Sequence, residues 1–214
     1  MQKGTSLFHA AQKKEGFAYH SERILFMKNI PITEWCRGFI KEQVKPGDVC
    51  IDATMGNGHD TLLLSFLAGE EGLVYAFDIQ KEALLHTQTL LEQEKAPRNY
   101  RLLLCSHTQM ADYALVGTVS CIVFNFGYLP GGDHSKSTHA STSLQALELS
   151  LKLLKKGGLL SLCIYRGGDT GFEEQDAVLK WLKELDPKDY LVILSSYYNR
   201  PNYPPIPALV IKLC

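Results

Sequence analysis

No apolar run in this chain approaches the ~20 residues needed to cross a bilayer, which leaves a membrane-spanning role without support. The first residues, Met1 to His20, are broken by Lys13, Lys14 and Glu15 and lack the continuous apolar segment of a secretory leader. No Cys-x-x-Cys occurs among the six cysteines, and Cys50, Cys105, Cys121 and Cys163 sit inside apolar, strand-like runs. They read as buried, reduced thiols of a cytoplasmic protein, not as a disulfide framework. Histidines and cysteines also lack ligand spacing, so no metal site is expected. Neither sign of charge dominates: a net charge of −1 disfavours indiscriminate coating of nucleic acid but leaves room for a local basic patch. No repeat, low-complexity tract or linker divides the chain.

What is present is the signature of one α/β domain. In 214 residues, 45% of them hydrophobic, short apolar runs alternate with amphipathic stretches from Lys45 onward. Strands are expected at Val49–Ala53, Leu73–Asp78, Tyr100–Cys105, Ser120–Asn125, Leu159–Tyr165, Tyr190–Ser196 and Ala208–Leu213. Gly157-Gly158 should stop the helix before the fifth. Helical stripes are Leu84, Thr87 and Leu91; Leu144, Leu147, Leu151 and Leu154; and Val178, Trp181, Leu182 and Leu185. Trp35 and Phe39 suggest a helix over Ile32 to Val44 packed on the sheet edge. The chain thus divides into an N-terminal extension, residues 1–29, and one domain, residues 30–214.

The last two strands are joined by Tyr197 to Pro207, where Pro201, Pro204, Pro205 and Pro207 forbid a helix. A parallel crossover needs a helix, so these strands should be antiparallel. A mostly parallel seven-stranded sheet with a C-terminal antiparallel hairpin is the layout of a Rossmann-like class I methyltransferase.

The strongest local motif runs from Asp52 to Thr61: Asp52-Ala53-Thr54-Met55-Gly56-Asn57-Gly58-His59-Asp60-Thr61. Gly56 and Gly58 allow a tight turn and close approach to a ligand. Gly-x-Gly before a helix also fits dinucleotide binding, although Thr61 replaces the third glycine. Asp52 can accept bonds from the loop backbone and from a cofactor's α-ammonium group. Asp78, twenty residues after Gly58, is placed to grip both hydroxyls of an adenosine ribose, with Ile79 beside it. Thr54, Asn57, His59, Asp60, Thr61 and, from the end of the fourth strand, Asn125 complete the expected cofactor site, and His59 or Asp60 also suits a helix cap. Ser106 and His107 end the third strand, where methyltransferases often contact adenine; a loop histidine without a role is the alternative.

The fourth strand ends in Asn125-Phe126-Gly127-Tyr128-Leu129-Pro130-Gly131-Gly132-Asp133-His134. An Asn there faces the crevice where open α/β sheets bind ligands. Asn125-Phe126-Gly127-Tyr128 resembles the Asn-Pro-Pro-Tyr element of amine-directed nucleic-acid methyltransferases, in which polar oxygens hold the target nitrogen's hydrogens and the aromatic stacks on the base.

Together with Asn202-Tyr203-Pro204-Pro205, these two runs resemble the bacterial family long called rRNA methylases, over roughly Ile30 to the C-terminus. Characterised members methylate the amine of 5-aminomethyl-2-thiouridine at the tRNA wobble position. The resemblance implies S-adenosylmethionine (SAM) as cofactor and the anticodon region of tRNA as partner. It gives Asn125 and Tyr128 the role of positioning the exocyclic amine, with Asp133 and His134 orienting the substrate or relaying its proton. Asp133 as a turn-closing residue is the other reading. Phe126, Gly127, Lys136, Arg166, Arg200, Asn202 and Tyr203 are the expected substrate contacts. The cations would meet anticodon phosphates; Tyr197, Tyr198 and Tyr203 would stack on bases or pack the hairpin. One departure is clear: Tyr165-Arg166-Gly167-Gly168-Asp169 stands where the family pattern has Tyr-x-Gly-His. Other readings are a methyltransferase for rRNA or a small amine, a nicotinamide-dependent dehydrogenase, and a non-catalytic RNA-binding subunit. A homodimer is expected from base rates alone.

Overall fold

The computed structural model describes residues 31–126, 140–165, 171–201 and 204–214. Seven strands form one sheet: β1 Val49–Asp52, β2 Leu73–Asp78, β3 Tyr100–Leu104, β4 Val119–Phe126, β5 Leu154–Ile164, β6 Tyr190–Leu194 and β7 Ile206–Lys212. Their order is β3-β2-β1-β4-β5-β7-β6, with β1 to β5 parallel and β7 antiparallel to both β5 and β6. The proline-rich connection therefore makes the antiparallel pair its composition demands. Strand order reverses between β1 and β4, and there the carboxyl ends of two strands open a crevice.

Alternation sorts the strand residues onto two faces. Ile51, Phe77, Ile122, Phe124 and Leu160 join one apolar cluster; Cys50, Val74, Cys121, Val123 and Leu159 join the other. Helices α4 (Ala140–Leu153) and α5 (Gly171–Glu184) bury Leu147, Leu151, Val178 and Leu182 on the first face. Helices α1 (Ile32–Gln43) and α2 (His59–Ala68) cover the second through Ile40, Leu64 and Ala68, and α3 (Lys81–Gln93) lies beside α2 against β2 and β3.

Two expectations need correcting. Helix α1 lies on the sheet face, not its edge: Ile32, Cys36 and Ile40, four residues apart, are buried, while Phe39 is exposed and meets Trp35 in a tilted ring contact. The helix before β5 ends at Leu153, so Leu154 belongs to the strand and the two glycines lie within it. The carbonyls at that junction are satisfied from across the sheet. Lys212 Nζ donates to Leu151 O at 2.9 Å and to Leu154 O at 3.0 Å, so no glycine stop is needed.

On the far side of β2, Asn99 ties the α2 C-terminus down. Its Nδ2 donates to the carbonyls of Ser65 and Gly69, and its Oδ1 accepts from Ser65 Oγ at 2.6 Å. Asn99→Ala should leave these buried groups unpaired and cost about 1–3 kcal/mol of stability, read from the denaturant midpoint. A variant as stable as the wild type would show that this network is dispensable.

Candidate active site

The loop between β1 and α2 is organised from beneath by Asp52. Its carboxylate accepts from the Thr54 amide at 3.2 Å and from Thr61 Oγ1 at 2.6 Å. Asp52 has no exposed surface, and in the ligand-free protein its carboxylate is spent on shaping the loop. Burial first, and then the neighbouring charge of Asp60, push its pKa up to about 7.

The two glycines serve different ends. Gly56 and Gly58 both adopt left-handed backbone, with φ of 53° and 82°. At Gly58 an added Cβ would lie 2.7 Å from Thr87 Oγ1 on α3, so its need is helix packing as well as backbone geometry. Thr87 Oγ1 in turn donates to Gly56 O at 3.1 Å, fixing the turn. Gly58 is also the residue that precedes the first turn of α2, and neither His59 nor Asp60 supplies a side-chain cap. The capping expectation is thus corrected, because Asp60 is engaged elsewhere.

Asp78 closes the other wall. Its Oδ2 accepts from the Gly56 amide at 3.0 Å and its Oδ1 from the Gln80 amide at 2.9 Å. Burial raises its pKa, against the pull of those amides. A carboxylate has about four acceptor sites, so two hydroxyls can still be held. Ile79, 55% exposed, offers an apolar surface beside it. Across the crevice, His107 Nε2 is buried with no hydrogen-bond partner among the described residues. Burial pushes this histidine down, opposed by a bond to the Ala53 backbone, and its ring packs edge-on against Phe124. Ser106 is taken up by capping, since its Oγ accepts from the Thr108 amide at 3.2 Å. An acid with acceptor sites to spare, an exposed aliphatic and an orphaned buried ring nitrogen fit an adenosine group.

Asn125 lies at the end of β4, across the switch point. Its amide donates to Thr54 Oγ1 at 2.7 Å, and its side-chain Nδ2 donates to Asp60 Oδ2 at 2.8 Å. The strand end, the cofactor loop and the start of α2 are thereby joined. Phe126 is a correction: it is fully buried and stacked on Phe124 at 5.1 Å, so its side chain belongs to the core and not to a substrate surface. Gly127, Tyr128, Asp133, His134, Lys136, Arg166, Asn202 and Tyr203 lie outside the described residues.

The connection from β6 to β7 lies at the same end of the sheet, because Ile206 pairs with Ile164 at the carboxyl end of β5. It carries Arg200, which is exposed, and Tyr198, which is 99% exposed. Tyr197 instead packs against Ile32, Cys36 and Cys163.

Three residues near the site, Glu34, Cys36 and Arg37, carried no expectation from sequence, and Cys163 was expected only as a buried thiol. Arg37 of α1 donates from Nε to Asp60 Oδ1 at 2.7 Å and also pairs with Glu34. Cys36 and Cys163 hydrogen-bond each other next to Asn125's neighbouring strand, which holds Cys36 low and pushes Cys163 well up. Only the Glu34-x-x-Arg37 spacing was visible in the chain, and nothing in it pointed to Asp60.

Comparison with known proteins places these features. A family profile described as "Putative rRNA methylase" matches residues 74–211. The chain is 37% identical over 173 residues, 77% of its length, to a chloroplastic tRNA (mnm5s2U34)-methyltransferase of Arabidopsis thaliana, and spans 63% of that relative. A crystal structure from Clostridium thermocellum, described in the same words as the family, superposes with a TM-score of 0.83 at 40% identity, covering 87% of this chain and all of that one. A Streptococcus mutans protein named as a methyltransferase and solved with S-adenosylhomocysteine (SAH) gives 0.77 at 37% identity, covering 86% of this chain and 99% of that one.

Two outcomes follow for the acids. Asp78→Ala should abolish SAH binding in calorimetry while the fold persists by circular dichroism; retained affinity would remove Asp78 from the cofactor site. Asp52 has a folded pKa of about 7 against an ordinary 3.8, so between those values the folded chain holds the extra proton and stability falls as pH rises. In the ligand-free protein, Asp52→Asn should flatten that fall in denaturant titrations across this window. Identical slopes in the two proteins would contradict it.

Proposed function

Because the chain belongs to the rRNA methylase family, whose fold and cofactor are those of SAM-dependent methyltransferases, we propose that it methylates the exocyclic amine of 5-aminomethyl-2-thiouridine at the tRNA wobble position. The observation that carries this reading is the pinned carboxamide of Asn125 at the switch point. With Nδ2 held by a carboxylate, the end left to meet a substrate is the oxygen, an acceptor suited to an amine N–H. The Arabidopsis relative bears the name of this activity, which supports the same substrate for the shared region.

SAM, when bound, supplies a methyl group already activated by its sulfonium. The protein's share is placement: Asp78 and Ile79 hold the adenosine, the loop from Gly56 to Gly58 fixes its approach, and Asn125 aligns the amine nitrogen with the methyl carbon. The amine has to arrive without its extra proton, since an alkyl ammonium with a pKa near about 10 has no lone pair. An amide oxygen cannot take up that proton, so Asp133 and His134 are the groups assigned to it, with Tyr128 stacking on the base. Arg200 and Tyr198, exposed at the same end of the sheet, suit a phosphate and an unstacked anticodon base, and Lys136 and Arg166 would add further phosphate contacts. The reaction would take place in the cytoplasm, in keeping with six free cysteines.

Labelled SAM and tRNA carrying 5-aminomethyl-2-thiouridine should yield 5-methylaminomethyl-2-thiouridine by nucleoside mass spectrometry. Asn125→Ala should bind SAH normally and lose turnover by about 100-fold or more. Transfer only to rRNA or to a free amine would move the substrate, and normal turnover by the variant would remove Asn125 from the mechanism.

A further inference from the structure

Asn125 is not held by its own strand alone. Its Nδ2 meets Asp60 Oδ2 at 2.8 Å, and the second oxygen of that carboxylate accepts from Arg37 Nε at 2.7 Å. Arg37 is in turn held by Glu34 one helical turn earlier. The side chains of Arg37 and Asp60 are only 20% and 11% exposed, so the pair is largely shielded from solvent. An ionised carboxylate accepts and never donates, so it admits one orientation of the Asn125 amide: NH2 inward, oxygen outward. Removing the cation leaves a largely shielded carboxylate without its counter-charge, and it relaxes by turning away from the Asn125 amide.

We propose that Arg37, acting through Asp60, is a positioning residue that sets the orientation of the Asn125 carboxamide for methyl transfer. This rests on the amine-methyltransferase reading above and extends it to helix α1, which precedes the cofactor loop and touches neither substrate nor cofactor in that reading. The ion pair crosses from α1 to the first turn of α2, so α1 carries a catalytic requirement in addition to its packing on the sheet.

The test uses the full chain. Arg37→Met keeps the aliphatic stem and removes the charge; Arg37→Lys keeps a cation without the Nε fork. In Arg37→Met, kcat should fall about 10- to 100-fold while tRNA KM and SAH affinity stay within about threefold. Arg37→Lys should recover most of the loss. The Asn125 side-chain NH2 signals, assigned by their disappearance in Asn125→Ala, should shift in Arg37→Met and return toward wild type in Arg37→Lys. The double variant Arg37→Met/Asn125→Ala should be no slower than Asn125→Ala, because both changes remove one function. Unchanged kcat, a parallel loss of SAH affinity, unmoved NH2 signals or multiplying losses would each overturn the proposal. If the wild type binds SAH but does not methylate this tRNA, the substrate reading fails, and the NH2 signals alone decide the role of Arg37.

Discussion

One carboxylate, that of Asp60, joins three segments that are far apart in the chain. It accepts from Arg37 of α1 and from Asn125 of β4 while standing in the first turn of α2. The sheet holds β1 and β4 in register as far as the Ala53 amide, which donates to Val123 O at 2.9 Å, and beyond that point side chains take over. Asp60 does so with one bond, and the Asn125 amide to Thr54 Oγ1 does so with another. The loop after β1, the first turn of α2 and Asn125 are thus tied together.

Three aspartates share this end of the sheet, and each is satisfied differently. Asp52 accepts a loop amide and the Thr61 hydroxyl, Asp60 takes a guanidinium and a carboxamide, and Asp78 takes two amides. Only Asp60 has a full counter-charge among these partners. Burial and mutual repulsion push Asp52 and burial pushes Asp78 toward protonation, which costs stability in the ligand-free protein.

The parts of this arrangement that are local in sequence were legible before the fold was known. Prolines between the last two strands forbid a crossover helix, which fixed the antiparallel pair; Asp52, Gly56, Gly58 and Asp78 follow strand ends at telling spacings. Residues whose meaning depends on packing were not legible. Arg37 and Asp60 are 23 positions apart on different helices, and no periodicity links them. Phe126 looks like a substrate aromatic next to Asn125, yet strand alternation turns it into the core. The partner that forces Gly58 to lack a side chain is Thr87, 29 positions on. Leu154 continued a helical stripe, yet it opens β5, where Lys212 of the last strand donates to its carbonyl.

The central claim is that adenosine, methyl donor and amine meet at the switch point between β1 and β4. A crystal structure of the protein with SAH and a 5-aminomethyl-2-thiouridine nucleotide tests it directly. The account predicts the ribose hydroxyls on Asp78, and the amine nitrogen between the SAH sulfur and the Asn125 side-chain oxygen. A nucleotide amine bound away from Asn125, or an adenosine that avoids Asp78, would contradict it.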